Sequence, residues 1–173
     1  METHKTCSFI GHREIENGEE IKSQLKSLLI KLINNNGVKF FLFGSRSDFN
    51  SLCHLVVTEL KERYPHIQRR AYTCRSESCI LEKDRAYWKK VYSQLVKHQE
   101  TLLCFEQEVE HKTKWTSGKA QYVERNQAMI DDSDFCIFYY NKNYNTPTKT
   151  NSGTKIAYEY ALKKNKKIIN LFE

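Results

Sequence analysis

Proline and glycine are scarce in this chain of 173 residues, which contains two prolines and six glycines. Hydrophobic residues make up 39% and charged residues 28%. This composition excludes a collagen-like or low-complexity chain and is typical of a globular α/β protein. Because the length suits one sizeable core, we predict a single domain over residues 1–173.

Long apolar runs are also missing. No stretch of the sequence approaches the length of a membrane-spanning helix, and the start, Met1 to Thr6, lacks the apolar segment of a secretory signal. We therefore expect a cytoplasmic protein with no membrane association.

Signals for cysteine pairing or metal binding are weak. Three of the six cysteines, Cys7, Cys104 and Cys136, lie in apolar strand-like runs, where a thiol behaves as a small buried hydrophobe. Cys74 and Cys79 have no second Cys or His pair at zinc spacing. We predict neither disulfides nor a metal site, and no required cofactor.

Positive charge exceeds negative charge. Twenty-eight Lys and Arg residues against twenty-one Asp and Glu residues give a formal charge of +7, which favours an anionic partner without choosing among nucleic acid, nucleotide and phosphate. Four of the lysines, between Lys163 and Lys167, cluster near the end of a terminal helix. We interpret that cluster as a solvated helix end that complements the helix dipole, rather than as a nucleic-acid patch.

Short apolar runs alternate with longer segments of helical period. This alternation predicts parallel strands joined by right-handed crossovers, and therefore an α/β fold of the Rossmann-like, doubly wound type, with a mostly parallel sheet and helices on both faces. Residues 106–118 are polar without a clear period, and we interpret them as a lid or a surface loop. Predicted strands cover residues 7–11, 39–44, 67–72, 101–105, 135–140 and 167–172, and predicted helices cover residues 21–32, 48–60, 85–98, 124–131 and 154–164.

Ligands of doubly wound sheets bind outside the carboxyl ends of the strands, so the segments that follow strands are the candidates for a site. Three of them combine a glycine with hydrogen-bond donors. They are Gly11-His12-Arg13, Gly44-Ser45-Arg46-Ser47 and Ser152-Gly153-Thr154.

Ser152-Gly153-Thr154 stands where a helix is predicted to begin. Gly153 permits close approach to the backbone, the free N–H groups of the first turn attract anions, and Thr154 adds a hydroxyl, so phosphate is the natural ligand. The alternative is that Ser152 or Thr154 only caps the helix. The motif taken alone favours capping.

The other two segments, Gly11-His12-Arg13 and Gly44-Ser45-Arg46-Ser47, also place a glycine turn and hydrogen-bond donors after a predicted strand. Arg46 can bind a phosphate through two hydrogen bonds, and a helix capped by Asp48 is predicted to follow. For His12 the alternative is a polar turn residue without a ligand. Because all three segments lie at the carboxyl ends of predicted parallel strands, we favour a shared binding site.

Arg125 and Asn126 are predicted to open the helix before the strand at 135–140. From the residues alone, Arg125 is better interpreted as a surface side chain paired with Glu124 or Asp131 than as a ligand-binding residue.

Taken together, these motifs resemble the SLOG superfamily of Rossmann-like proteins, and in particular its small, stand-alone, bacterial YpsA-like branch. The resemblance covers nearly the whole chain and implies a nucleotide-binding site, with Arg125 and Asn126 among its residues. It rests on residues 7–13 (CSFIGHR), 44–49 (GSRSDF) and 125–131 (RNQAMID), on Ser133-Asp134, and on Ser152-Gly153-Thr154 with Ala157, Tyr160 and Ala161.

The superfamily also includes the LOG phosphoribohydrolases, which cleave the N-glycosidic bond of nucleoside monophosphates. Their pattern of arginine, methionine and a Gly-Thr-x-x-Glu loop is matched here by Arg125, Met129 and Gly153-Thr154, but Ala157 stands in place of the glutamate. Glu159 lies two residues further along, about 200° around a helix, and should face another way. Since glycosidic cleavage usually needs a carboxylate, the resemblance implies a binding cradle without its catalyst.

We therefore hypothesise a domain that binds a nucleotide or an ADP-ribose-like derivative, with a sensor as one form of this hypothesis. The phosphate would lie between Gly44-Ser45-Arg46 and Ser152-Gly153-Thr154. One alternative is a phosphoribohydrolase-like enzyme in which Glu159, Asp48 or Glu82 replaces the missing glutamate. Another is a nucleic-acid-binding protein. Pairing of related folds through helices makes a homodimer plausible, although no decisive apolar seam is visible.

Overall fold

The structure, a computed structural model, describes residues 3–44, 47–74, 105–111, 114, 118–144 and 152–172. The predicted helix at 85–98, most of the predicted strand at 101–105, and residues Ser45, Arg46, Cys79, Glu82 and Cys104 lie outside these ranges. The described part of the chain forms, in order, β1 (Lys5–Gly11), α1 (Gly18–Asn36), β2 (Val38–Phe43), α2 (Asp48–Arg63), β3 (Gln68–Cys74), β4 (Gln107–His111), α3 (Lys119–Asp131), β5 (Phe135–Tyr139), α4 (Gly153–Lys163) and β6 (Lys167–Asn170).

All six strands form one parallel sheet in the order β4-β3-β2-β1-β5-β6. The chain first builds outward from β1 through β2, β3 and β4, and then returns to the other side of β1 with β5 and β6. The direction of winding therefore reverses between β1 and β5, which pair from Cys7 opposite Phe135 to Gly11 opposite Tyr139. This reversal creates a crevice at the carboxyl ends of those two strands.

Helices cover both faces of the sheet, which confirms the doubly wound prediction. Alternate residues of a strand point to opposite faces, and in β1 Phe9 packs with α1 and α2 while Ile10 packs with α3 and α4. The strands are apolar on both sides because each face has its own core.

Helix α1 shows how the sequence specifies these layers. Its buried residues recur every three or four positions, from Ile21 through Leu25 and Leu29 to Ile33, and they form the stripe that packs on the sheet. The helix ends at Gly37, whose φ of 68° lies in the left-handed region and whose N–H donates to the Leu32 carbonyl. The predicted helix at 21–32 is confirmed, and the structure extends it from Gly18 to Asn36.

One predicted capping residue and one predicted helix start were wrong. Ser47, rather than Asp48, caps α2, because its Oγ accepts a hydrogen bond from the Asn50 N–H at 3.0 Å. Helix α3 begins at Lys119 instead of residue 124, so Arg125 and Asn126 lie inside the helix and do not open it. The buried side of its first turn is occupied by the polar Gln121, and a search for apolar period misses such a turn.

The prediction of a loop or lid at residues 106–118 was also partly wrong. Residues Gln107–His111 of that segment form strand β4. That strand pairs with β3 at the edge of the sheet and carries Gln107, Glu108 and Glu110, all exposed. Charged residues are common on edge strands, where they discourage pairing with other chains. They also remove the apolar alternation that would have indicated a strand.

Within the described ranges, no helix is long and apolar enough to cross a membrane. The same part of the chain contains no group of three or more His, Cys, Asp or Glu side chains that could hold a metal ion. Cys7, Cys53, Cys74 and Cys136 are buried, and none of these four forms a disulfide.

The end of β1 depends on a glycine for close packing. A Cβ added to Gly11 would lie 2.4 to 2.7 Å from three atoms of the fully buried Phe49, which extends from α2. We predict that Gly11→Ala lowers the free energy of unfolding by about 1 to 3 kcal/mol, the usual cost of overpacking a core. Urea denaturation followed by circular dichroism measures this change.

Gly18→Ala is the matched control, because a Cβ there would meet only Ile15 Cδ1, at 3.9 Å. It should leave stability unchanged or raise it by up to about 1 kcal/mol through helix propensity. Equal stability of the Gly11→Ala and wild-type proteins would contradict the packing argument.

A partly buried ion pair joins β3 to the segment before β4. Arg69 is only 3% exposed, and its guanidinium donates to both carboxylate oxygens of Glu106 at 3.2 and 2.9 Å. Lys61 approaches the same carboxylate at 2.8 Å. Burial alone would raise the pKa of Glu106, but the hydrogen bonds from Arg69 and Lys61 outweigh it and lower this pKa to about 2.

We predict that Glu106→Gln costs roughly 2 kcal/mol of stability at pH 7, because Arg69 loses a charged acceptor. The folded pKa of Glu106 lies below the ordinary 4.5, so the ion pair contributes fully above about pH 4.5 and its contribution disappears as pH falls toward 2. Denaturation of both proteins between pH 7 and pH 2 should show the difference shrinking over that window. A difference independent of pH would contradict the assignment.

Candidate functional site

The candidate site lies where β1 and β5 end side by side. The His12 N–H continues the pairing past the end of β1 and donates to the Tyr139 carbonyl at 3.2 Å. Residues that follow these two strands are therefore held against each other at the reversal of winding, the usual position of a ligand in such sheets.

His12 is a fixed part of this edge rather than a free turn residue. Its side chain is 7% exposed, and its Nε2 accepts the N–H of Asn141 at 2.8 Å. Burial lowers the pKa of His12 below its usual value of 6.5. An accepting Nε2 carries no proton, so the imidazole is neutral and only Nδ1 remains as a donor for a ligand.

Aromatic rings surround His12. The ring centroids of Tyr139, Tyr140 and Tyr144 lie 6.3, 5.8 and 4.6 Å from that of the imidazole. Tyr140 in turn packs against Tyr158 of α4 at 4.8 Å. The crevice therefore has an aromatic wall on its β5 side.

Backbone contacts bind the loops after β1 and β2 together. The carbonyl of Arg13 accepts the N–H of Asp48, the first residue of α2, at 2.8 Å, while the Arg13 side chain is exposed. Asn50 Oδ1 accepts the Gly44 N–H at 3.4 Å. Ser47 is buried because its hydroxyl caps α2. Two of the first N–H groups of this helix are thus already used within the protein.

Arg125 is buried against Gly44, so its interpretation as a surface side chain was wrong. It is 3% exposed, and a Cβ on Gly44 would lie 3.2 Å from Arg125 Nε and 2.5 Å from Met129 Sδ. The guanidinium donates to Asn126 Oδ1 from Nε at 3.3 Å and from Nη2 at 3.2 Å. A helix residue therefore brings a positive charge beneath the end of β2.

The start of α4 is capped and accessible at the same time. Ser152 Oγ accepts the Lys155 N–H at 3.0 Å, as the capping alternative expected. Among the described residues, a Cβ added to Gly153 would meet no atom within 4 Å, while Thr154 beside it is 7% exposed. Unlike Gly11 and Gly44, this glycine is not required by packing in the described structure.

The carboxylate expected of a LOG-type loop is missing in space as well as in sequence. Ala157 is 2% exposed and packs in the core beneath α4. Glu159 faces solvent with a side chain 60% exposed, 3.9 Å from Lys155. Asp48 is exposed on the first turn of α2. Two of the three proposed substitutes for the glutamate therefore lie on the surface, and the third, Glu82, lies outside the described residues.

The structure brings together Gly11, His12, Arg13 and the start of α2. It also brings Arg125, which is hydrogen-bonded to Asn126, to Gly44. It gives no description of Ser45 or Arg46. Sequence reasoning did not name Asn141 and Tyr144 as site residues, although both contact His12. The loop after β5 was recognised as a place to inspect, and its Asn-x-Asn-Tyr start is a turn signal that could have identified them.

A model of the YspA SLOG family, named YpsA, matches residues 10–172. The chain belongs to this family. The match begins beside Gly11 and continues through β6, so it includes every segment of the candidate site. No curated protein matches the sequence.

DNA processing protein A from Helicobacter pylori has the same fold in a solved structure. That structure is described as giving insight into a unique single-stranded DNA binding mode. The superposition has a TM-score of 0.55 at 14% sequence identity and covers 96% of this chain. This chain spans only 64% of the length of that protein. At such low identity the similarity supports the fold and no particular activity.

The contacts of His12 lead to a titration prediction. Because its folded pKa is lowered, the native protein should bind a proton less readily than the unfolded chain, and stability should fall as pH drops below about 6.5. Two-dimensional NMR of the imidazole nitrogens, with the His12 signal assigned by its loss in His12→Gln, measures this pKa. A pKa at or above 6.5 would contradict the buried, neutral imidazole.

Proposed function

We propose that this protein binds a nucleotide or a nucleotide derivative such as ADP-ribose through the carboxyl edge of its sheet. The anionic part of the ligand would lie at the start of α4, with Thr154 beside it and the buried Arg125 contributing positive potential. Gly11, His12, Arg13 and the Gly44–Ser47 loop would form the remainder of the site.

The observation that carries this proposal is the reversal of winding between β1 and β5. At that position the loops after both strands are joined by hydrogen bonds from His12 to Tyr139 and from Asn141 to His12, at 3.2 and 2.8 Å. Ligand sites of open parallel sheets occur at such reversals, because the neighbouring loops separate there and leave a crevice.

The start of α4 gives the crevice an anion-binding element. A helix N-terminus carries partial positive charge and N–H groups that point outward, and the space around Gly153 leaves room for a phosphate oxygen. Capping by Ser152 uses the Lys155 N–H and does not use the N–H groups of Gly153 or Thr154. Capping and phosphate binding are therefore compatible here.

Binding is favoured over hydrolysis because position 157 is a buried alanine, and because the two candidate substitutes that the structure describes, Asp48 and Glu159, are both exposed. A buried alanine there and an outward-facing Glu159 leave the start of α4 without the acid that would activate water or stabilise an oxocarbenium-like centre. A role in sensing a nucleotide is consistent with a site that binds without turnover.

Single-stranded nucleic acid is the second candidate ligand. The formal charge of +7 favours polyanions, and the similar fold of DNA processing protein A occurs in a protein described as binding single-stranded DNA. Nucleotides and single-stranded nucleic acids share phosphate and base chemistry, so both proposals place the ligand at the same edge of the sheet.

Thermal unfolding with nucleoside monophosphates and ADP-ribose tests the proposal. A ligand at one hundred times its dissociation constant should add about 2.7 kcal/mol to stability. We predict that Gly153→Ala leaves the melting temperature of the free protein unchanged or slightly higher, since its Cβ meets no atom within 4 Å. The same variant should weaken ligand binding about tenfold, or roughly 1.4 kcal/mol, by obstructing the phosphate.

Gly18→Ala is the matched control, because Gly18 is likewise the first residue of a helix and has open space around it. It should bind ligands as the wild type does. If no nucleotide stabilises the protein, the nucleotide proposal fails, and salt-dependent binding of an oligonucleotide would support the second candidate. Release of free base from a monophosphate, lost in Arg125→Ala, would instead establish a hydrolase.

A further inference from the structure

Tyr144 occupies an unusual position for a large aromatic side chain. Its ring lies against His12 at a centroid separation of 4.6 Å and a tilt of 34°, while 49% of the residue remains exposed. Core packing therefore accounts for only part of its surface, and an aromatic surface is presented beside the β1–β5 crevice.

The backbone around Tyr144 is fixed by a chain of hydrogen bonds. The Tyr144 N–H donates to the Asn141 carbonyl at 3.1 Å, and the Asn143 N–H donates to Asn141 Oδ1 at 2.9 Å, which closes a compact turn. The Asn141 N–H donates in turn to His12 Nε2 at 2.8 Å. The turn is thus attached to the end of β1 as well as to β5, and the exposed ring has a defined place.

Stacking is the chemistry that such a ring offers. Successive aromatic planes at centroid distances of about 4.5 to 7 Å attract one another, and every nucleobase has a π-face that can extend the series. The neutral imidazole packed against the tyrosine supports the ring without adding a charge. Phosphate and ribose have no π-face with which to extend the series.

We propose that Tyr144, supported by His12, is the platform on which the base of the nucleotide stacks. This inference rests on the proposed nucleotide-binding function and adds the part of the site that distinguishes a nucleotide from a sugar phosphate. The turn that carries Tyr144 and the start of α4 belong to the same β5–α4 connection, so one connection supplies the base platform at one end and the phosphate site at the other.

Calorimetric titrations with adenosine 5′-monophosphate and with ribose 5-phosphate, which lacks the base, test the platform. The wild-type protein should bind adenosine 5′-monophosphate more tightly than ribose 5-phosphate, by roughly 5- to 150-fold, as expected for one stacked base. Tyr144→Ala should lose most of that preference and keep its affinity for ribose 5-phosphate. Tyr144→Phe, which retains the ring, should keep the preference.

Leu162→Ala is the control for loss of an exposed apolar side chain, because Leu162 is 54% exposed in the last turn of α4, away from the carboxyl edge. It should bind both compounds as the wild type does. An unchanged preference in Tyr144→Ala would overturn the platform and leave nucleotide binding intact. Failure of the wild type to bind either compound, or any of the other monophosphates, would overturn both proposals together.

Discussion

The parallel pairing of β1 with β5 is the contact on which the site depends. β1 lies at the centre of the sheet with β2 on one side and β5 on the other, and the register that sets Gly11 opposite Tyr139 brings the two strand ends level. The hydrogen bonds of His12 continue this register into the loops. Displacing the strands by one residue would reverse which side chains face each helical layer, so the two cores and the crevice are specified together.

The three glycines after strands illustrate how similar motifs acquire different roles. Gly11 and Gly44 are enclosed, the first by Phe49 and the second by Met129 and Arg125, so their missing side chains permit packing. At Gly153 a Cβ would meet no atom of the described residues within 4 Å, so packing among them does not require a glycine there. All three stand in the same kind of position in the sequence, and only their neighbours in space distinguish the two roles.

Much of the architecture could be predicted because the buried elements have regular apolar periods. The apolar stripe of α1 predicted a helix, and the apolar runs of β1, β2 and β5 predicted strands. The family resemblance agreed with the resulting fold. β4 and the first turn of α3 were missed for the same physical reason, since an edge strand and a turn buried through Gln121 carry no apolar period. The burial of Arg125 was likewise invisible, because a charged residue is usually exposed.

The sequence by itself determined the class of fold, the family and the strands and helices that have a clear apolar period, because these follow from local periodicity and from motifs that are contiguous in the chain. Tertiary structure decided that His12 accepts the Asn141 N–H, that Arg125 lies beneath Gly44, and that Tyr144 packs on His12. Each of these contacts joins residues far apart in the chain, and their geometry depends on strand order and register, which no local pattern encodes.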